Sequence, residues 1–167
     1  WADAAIDDSE KLGVIEKLID AVEHLHSLGI SHGDLHPSNV MLDKQNGNVY
    51  LIDIPDFSHN TAEAKNHRYS PENIEGSSSE QRDIFAVLRM SCELLGLEWG
   101  EESKDYPRVS YAIQSELNDI EFGFKDLGRF RKALTTAAEV QEQQFIEITL
   151  SNTNEQMTIF PDNGHLY

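Results

Sequence analysis

The residues of this chain best equipped for chemistry lie in one short run, His32-Gly33-Asp34-Leu35-His36-Pro37-Ser38-Asn39. Asp34 is followed five residues later by Asn39, and Pro37 between them opposes a helix. Further along, an apolar strand, Val49-Tyr50-Leu51-Ile52, leads directly into a second carboxylate, Asp53. A carboxylate that can orient a hydroxyl, an amide, and a carboxylate ready for a metal are the polar set of phosphoryl transfer.

The surrounding elements have to bring these groups together. Asp7 or Asp8 can cap a helix reaching about Leu28, with Leu12, Ile15, Leu18, Ile19, Val22 and Leu25 on one face and Gly29 as a left-handed stop. Val40-Met41-Leu42 and Val49 to Ile52 bracket Asp43-Lys44-Gln45-Asn46-Gly47-Asn48, and the Asn-Gly pair predicts a hairpin turn. Asn39 then stands just before one strand and Asp53 just after its partner. The hairpin is expected to bring the two side chains near each other.

From Asp53 to about Ser79 the chain is polar and rich in turn formers, a long surface loop of the kind that usually has a function. An apolar helix is predicted from Ile84 to Leu95, with Ile84, Val87, Leu88, Ser91, Leu94 and Leu95 inward. Helices are also expected over about Ser110 to Leu117 and Leu127 to Gln143. Beyond them Phe145 to Leu150 alternates, and a polar turn leads to Met157-Thr158-Ile159-Phe160, which predicts a β-hairpin.

The 167 residues suffice for one domain with its own core, and apolar and charged fractions are those of a globular protein. A net charge of −17 argues against nucleic acid and against an anionic membrane surface. The single cysteine, Cys92, excludes an internal disulfide and reads as a buried thiol. No apolar run approaches membrane-spanning length and no signal peptide is visible, so a cytoplasmic protein is expected. His24 and His26 point to opposite sides of their helix and cannot share one zinc ion. Trp99 is expected to be a packing anchor.

The sequence HGDLHPSN followed by LID resembles the catalytic loop and metal-binding loop of the protein kinase-like superfamily. The resemblance implies that Asp34 is the catalytic aspartate, that His32 braces the loop, and that Asn39 and Asp53 hold Mg²⁺ against the phosphates of ATP. His36, where serine/threonine kinases carry lysine, is grouped with these catalytic residues. Tyr69-Ser70-Pro71-Glu72 resembles the signature closing the activation segment, with Glu72 structural and Arg129 or Arg131 as its candidate partner. Arg82-Asp83-Ile84-Phe85 resembles the start of the central buried helix, and Asp83 would tether the catalytic loop. The likeness covers about Ser9 to Leu97 well, Glu98 to Gln143 loosely, and the tail not at all.

The departures matter as well. Gly33 replaces the arginine that many kinases use to grip a phosphorylated loop, so activity would not need loop phosphorylation, although Ser58, Thr61 and Ser70 could accept a phosphate. Pro55 alters the motif after Asp53, and Asp56-Phe57-Ser58 is a competing match, less favoured because Asp53 directly follows the strand. The family's small β-rich lobe would precede the first helix, yet only eight residues precede Ser9 and no glycine-rich phosphate loop occurs.

The expected fold is therefore mainly α with small β-hairpins (α+β): a protein kinase-like C-terminal lobe over 1–143, with a β-hairpin extension or following domain over 144–167. Within it lie a catalytic loop at 32–39, a metal loop at 53–55 and an activation segment at 53–72. The expected function is the large lobe of an ATP- and Mg-dependent serine/threonine protein kinase, not competent without its N-lobe. A nucleotide and a protein substrate are its expected partners in the full-length parent, and the tail hairpin is a possible contact for another protein. A pseudokinase-like binding scaffold and a small-molecule kinase are the alternatives.

Overall fold

The computed structural model describes residues 6–54, 67–71, 77–120 and 127–152. Four helices and one two-stranded sheet make up these parts: α1 Asp8–Ser27, β1 Val40–Asp43, β2 Asn48–Leu51, α2 Ser79–Leu95, α3 Pro107–Ile120 and α4 Gly128–Asn152. Short 3₁₀ turns occupy Pro37–Asn39 and His67–Tyr69.

Helix α1 forms where its apolar residues recur at three- and four-residue steps, and all six expected inward residues are buried, together with Val14. Helix α2 begins five residues before the predicted Ile84. A capping box explains the early start: Gln81 N donates to Ser78 Oγ and Ser78 N donates to Gln81 Oε1. Its expected inner face is buried throughout, and Cys92 is only 3% exposed. The core joins Ile15, Leu18 and Ile19 of α1 to Val87, Leu88 and Met90 of α2, Ile113 of α3, and Phe130 and Leu134 of α4. Removing these side chains from water is the main favourable term in the fold.

Strands β1 and β2 pair antiparallel, Val40 opposite Leu51 and Asp43 opposite Asn48. Asp43 closes the turn by accepting from Gln45 N and Asn46 Nδ2. Lys17 of α1 donates to the carbonyl of Gly47 at 2.7 Å, fastening the hairpin tip to the first helix.

One expectation is corrected. The alternation over Phe145 to Leu150 predicts a strand, but the backbone there is helical, because α4 runs unbroken through residue 143 to Asn152. Neither glycine nor proline occurs between Gly128 and Pro161, so a helix packed through buried Phe130 and Leu134 meets no stop. A helix also satisfies its backbone groups internally, whereas a strand must find a partner. The second predicted strand, Met157 to Phe160, lies outside the described residues.

Candidate active site

The last turn of α1 ends by local hydrogen bonding: Gly29 N donates to His26 O and Ile30 N to Leu25 O. Gly29 takes φ +72°, the left-handed conformation expected of it. The chain then reverses into the loop at 30–36, and a single buried carboxylate holds that loop in place. Asp83, fully buried on α2, accepts from His32 N at Oδ2 and from Gly33 N at Oδ1, both at 2.7 Å. His26 Nε2 lies 2.9 Å from the same Oδ2. Gly33 sits at φ +77°, where a side chain would be strained. Asp83 is thus anchored by α1 and by the loop at once.

His32 is also fully buried. Its Nε2 is 2.9 Å from the carbonyl of Ile52; since a carbonyl can only accept, Nε2 carries the proton. The bond ties the loop to the exit of β2. Among the described residues His32 Nδ1 has no hydrogen-bond partner.

Asn39 is 7% exposed, and its Nδ2 donates to Asp34 O at 3.0 Å and faces His36 Nε2 at 3.1 Å. Because the Asp34 carbonyl needs a donor, the amide orientation is forced and His36 Nε2 accepts. The same ring nitrogen is 4.0 Å from Asp34 Oδ2. Asp34, His36 and Asn39 therefore form one cluster. Asn39 O accepts from Ile52 N at 3.0 Å, so the residue preceding Asp53 is hydrogen-bonded directly to Asn39. Asp53 itself is exposed at φ +55°, rare for a residue with a side chain and typical of strained functional positions.

This donor set suits a hard cation. Both bonds of the Asn39 amide use its nitrogen, leaving Oδ1 without a hydrogen bond, and Asp53 has no ion-pair partner among the described residues. Among the described residues no three His, Cys, Asp or Glu side chains gather as a metal cluster. An amide oxygen and a carboxylate with open positions match Mg²⁺, which keeps waters and takes phosphate oxygens rather than an all-protein cage.

Pro55, Asp56 to Ser58, Thr61 and Glu72 lie outside the described residues. The arginines proposed for Glu72 have other contacts: Arg131 donates to Asp20 and Glu23 of α1, and Arg129 pairs with buried Glu116. Ser70 and Pro71 are buried. Beside them Tyr69 Oη donates to Glu93 Oε2 at 2.7 Å, and burial, then this bond, push its phenol up to about 12. Two residues escaped the sequence reading. His26 carries no motif that marks it as a partner of Asp83, and the only signal for Glu93 is the four-residue step from Phe85 through Arg89.

The protein kinase domain model matches residues 2–95, just over half of the chain. Protein kinase YpkA of Yersinia pseudotuberculosis is 30% identical over 97 residues, covering 53% of this chain and 13% of that protein. Serine/threonine-protein kinase PrkC of Bacillus subtilis is 28% identical over 104 residues, 56% of this chain and 16% of its own length. The mouse hormonally up-regulated neu tumor-associated kinase is 48% identical over 48 residues, 29% of this chain and 7% of its own length. The chain thus spans about a sixth or less of the length of these relatives. No solved structure matches it.

Proposed function

This chain belongs to the protein kinase domain family, and from that membership we propose that it is the catalytic, C-terminal lobe of an ATP- and Mg²⁺-dependent phosphotransferase acting on protein serine or threonine hydroxyls. The observation that carries the reading is the Asn39 amide, which joins Asp34 and His36 through its nitrogen and leaves its oxygen for a cation. The serine/threonine preference is supported by the name of the Bacillus relative.

Asp34 keeps a carboxylate with a side chain 21% exposed, placed to accept the proton of an attacking hydroxyl. Asn39 and Asp53 would hold the cation, which when bound neutralises charge on the phosphate oxygens. His36 orients Asn39. His32 and Asp83 keep the loop rigid, so Asp34 meets the hydroxyl with little reorganisation.

The test is phosphotransfer from labelled ATP to a protein acceptor by the full-length protein, with and without Asp34→Asn. Loss of about 10²-fold or more is expected. Transfer unchanged by the substitution overturns the reading. Absence of any Mg·ATP-dependent thermal stabilisation in the full-length protein would point instead to a binding scaffold.

A further inference from the structure

Three consecutive serines, Ser77 to Ser79, lead into helix α2. Ser78 is its N-cap and is taken up by the capping box with Gln81. Ser79 is the first helical residue and is partly exposed, and its Oγ accepts from Arg82 Nη2 at 2.8 Å. Arg82 is only 6% exposed. Among the described residues that hydroxyl is its one hydrogen-bond partner, no carboxylate pairs with it, and its Nε is shut from water without an acceptor. The adjacent carboxylate, Asp83, is already engaged by His26 and by the amides of His32 and Gly33.

A buried guanidinium is costly unless an anion offsets its charge, and a neutral hydroxyl does not. Nε and Nη2 lie on the same edge of the guanidinium, a fork that takes two oxygens of one phosphate. Here one tine already holds Ser79 Oγ and the other is empty. The start of α2 adds the positive end of the helix dipole and amide donors of the first turn. Arginine fork and helix end both favour an anion at the same atom.

We propose that Ser79 is a phosphorylation site and that Arg82 is the residue that binds the phosphate it carries. In the transfer Ser79 Oγ attacks the γ-phosphorus of ATP held by a protein kinase. The bond from that phosphorus to the bridging oxygen breaks, ADP leaves, and the hydroxyl proton passes to the catalytic carboxylate of that kinase. The product brings up to two negative charges and three acceptor oxygens to the empty side of Arg82. Ser79 lies outside residues 53–72 and one helical turn before Asp83, so its phosphate braces the start of the helix that holds the loop at 30–36. The inference does not depend on phosphotransfer by this chain.

The test encodes phosphoserine at position 79 of the whole chain, with phosphoserine at 77 as control, each in the wild-type, Arg82→Gln and Arg82→Lys backgrounds. By ³¹P titration the phosphate at 79 should ionise at least about half a pH unit below the ~6 usual for a phosphoserine, because Arg82 and the helix end favour the dianion. Exposed Glu80 beside it acts in the opposite sense. The Tm should rise by about 2–4 °C over the unmodified chain, and Arg82→Gln should abolish both effects. An ionisation at 79 equal to that at 77, or a Tm gain that survives Arg82→Gln, overturns the proposal. If Arg82→Gln does not fold, Arg82→Lys decides: it keeps the charge but loses the fork, and an undiminished Tm gain rejects Arg82 as the phosphate's partner. Inorganic phosphate titrated onto the unmodified chain should leave Tm unchanged; an equal, Arg82-dependent rise would mean a site for free anions and overturn the modification. Phosphopeptide mapping of the full-length protein, purified from growing cells with phosphatase inhibitors, should place phosphate on Ser79. Its absence there, or its presence on Ser77 or Ser78 alone, also overturns the modification.

Discussion

His32 N donates to Asp83 Oδ2 at 2.7 Å across 51 residues of sequence, inside a core from which both residues are closed to solvent. This bond and its neighbour from Gly33 turn a glycine-containing loop into a rigid platform for Asp34.

Asp83→Ala should be among the most damaging single changes. It orphans the buried amides of His32 and Gly33, at about 1–3 kcal/mol for each group left unsatisfied, so a loss of about 2–6 kcal/mol is expected. Urea denaturation measures it. A loss below about 1 kcal/mol would show that water or a shifted backbone replaces the carboxylate.

Asn39→Asp is nearly isosteric, yet it removes the donor that serves Asp34 O and His36 Nε2. A stability loss of about 1–3 kcal/mol is expected. In the full-length protein the Mg·ATP-dependent rise in Tm should shrink, because the amide oxygen is no longer held in place. A thermal shift equal to wild type would count against Asn39 as a cation ligand.

Stability should fall at alkaline pH. Burial raises the Cys92 thiol from its ordinary 9.0 to about 12, and burial with the Glu93 bond raises Tyr69 from 10.0 to about 12. The folded chain keeps these protons to higher pH than the unfolded one. The stabilisation is therefore complete below pH 9 and is lost between about pH 9 and 12, by at most about 1.4 kcal/mol per pH unit per group. Between pH 9 and 10 the thiol dominates, so Cys92→Ala should flatten the fall there. Urea midpoints at pH 8, 9, 10 and 11 test this, and identical slopes would refute it.

The two ways α4 is held should separate cleanly. Phe130 is fully buried, and Phe130→Ala should cost about 3–5 kcal/mol at any salt concentration. Arg131 grips Asp20 and Glu23 from a surface position, and Arg131→Ala should cost about 0.2–1 kcal/mol at low salt. The Arg131 contribution should fade in 1 M salt as the charges are screened. Denaturation of both variants at two salt concentrations distinguishes them, and a salt-independent Arg131 effect would mean that its aliphatic stem carries the contribution.

What could be read in the sequence was local. The α1 and α2 stripes, the Gly29 stop and the hairpin with Asn39 and Asp53 at its ends follow from periodicity and turn chemistry over a few residues, and the structure has them. Family membership followed from the short motifs around Asp34 and Asp83. Where two local rules competed, the sequence misled: residues 145–150 satisfy strand alternation, but they continue helix α4, which no glycine or proline interrupts.

The partners that need the whole fold were settled only in three dimensions. His26 beside Asp83, Glu93 between Arg68 and Tyr69, and Arg131 across to α1 join residues 24 to 111 positions apart. Asp83 is shut from water and needs its partners, whereas the pairs of Arg68 and Arg131 lie at the surface and are set by which faces the packed core brings together. By itself the sequence determined which groups could act, through residue type and short spacing. The tertiary structure decided what holds them, because burying the four helices against one another fixes which polar groups are trapped together and must satisfy each other.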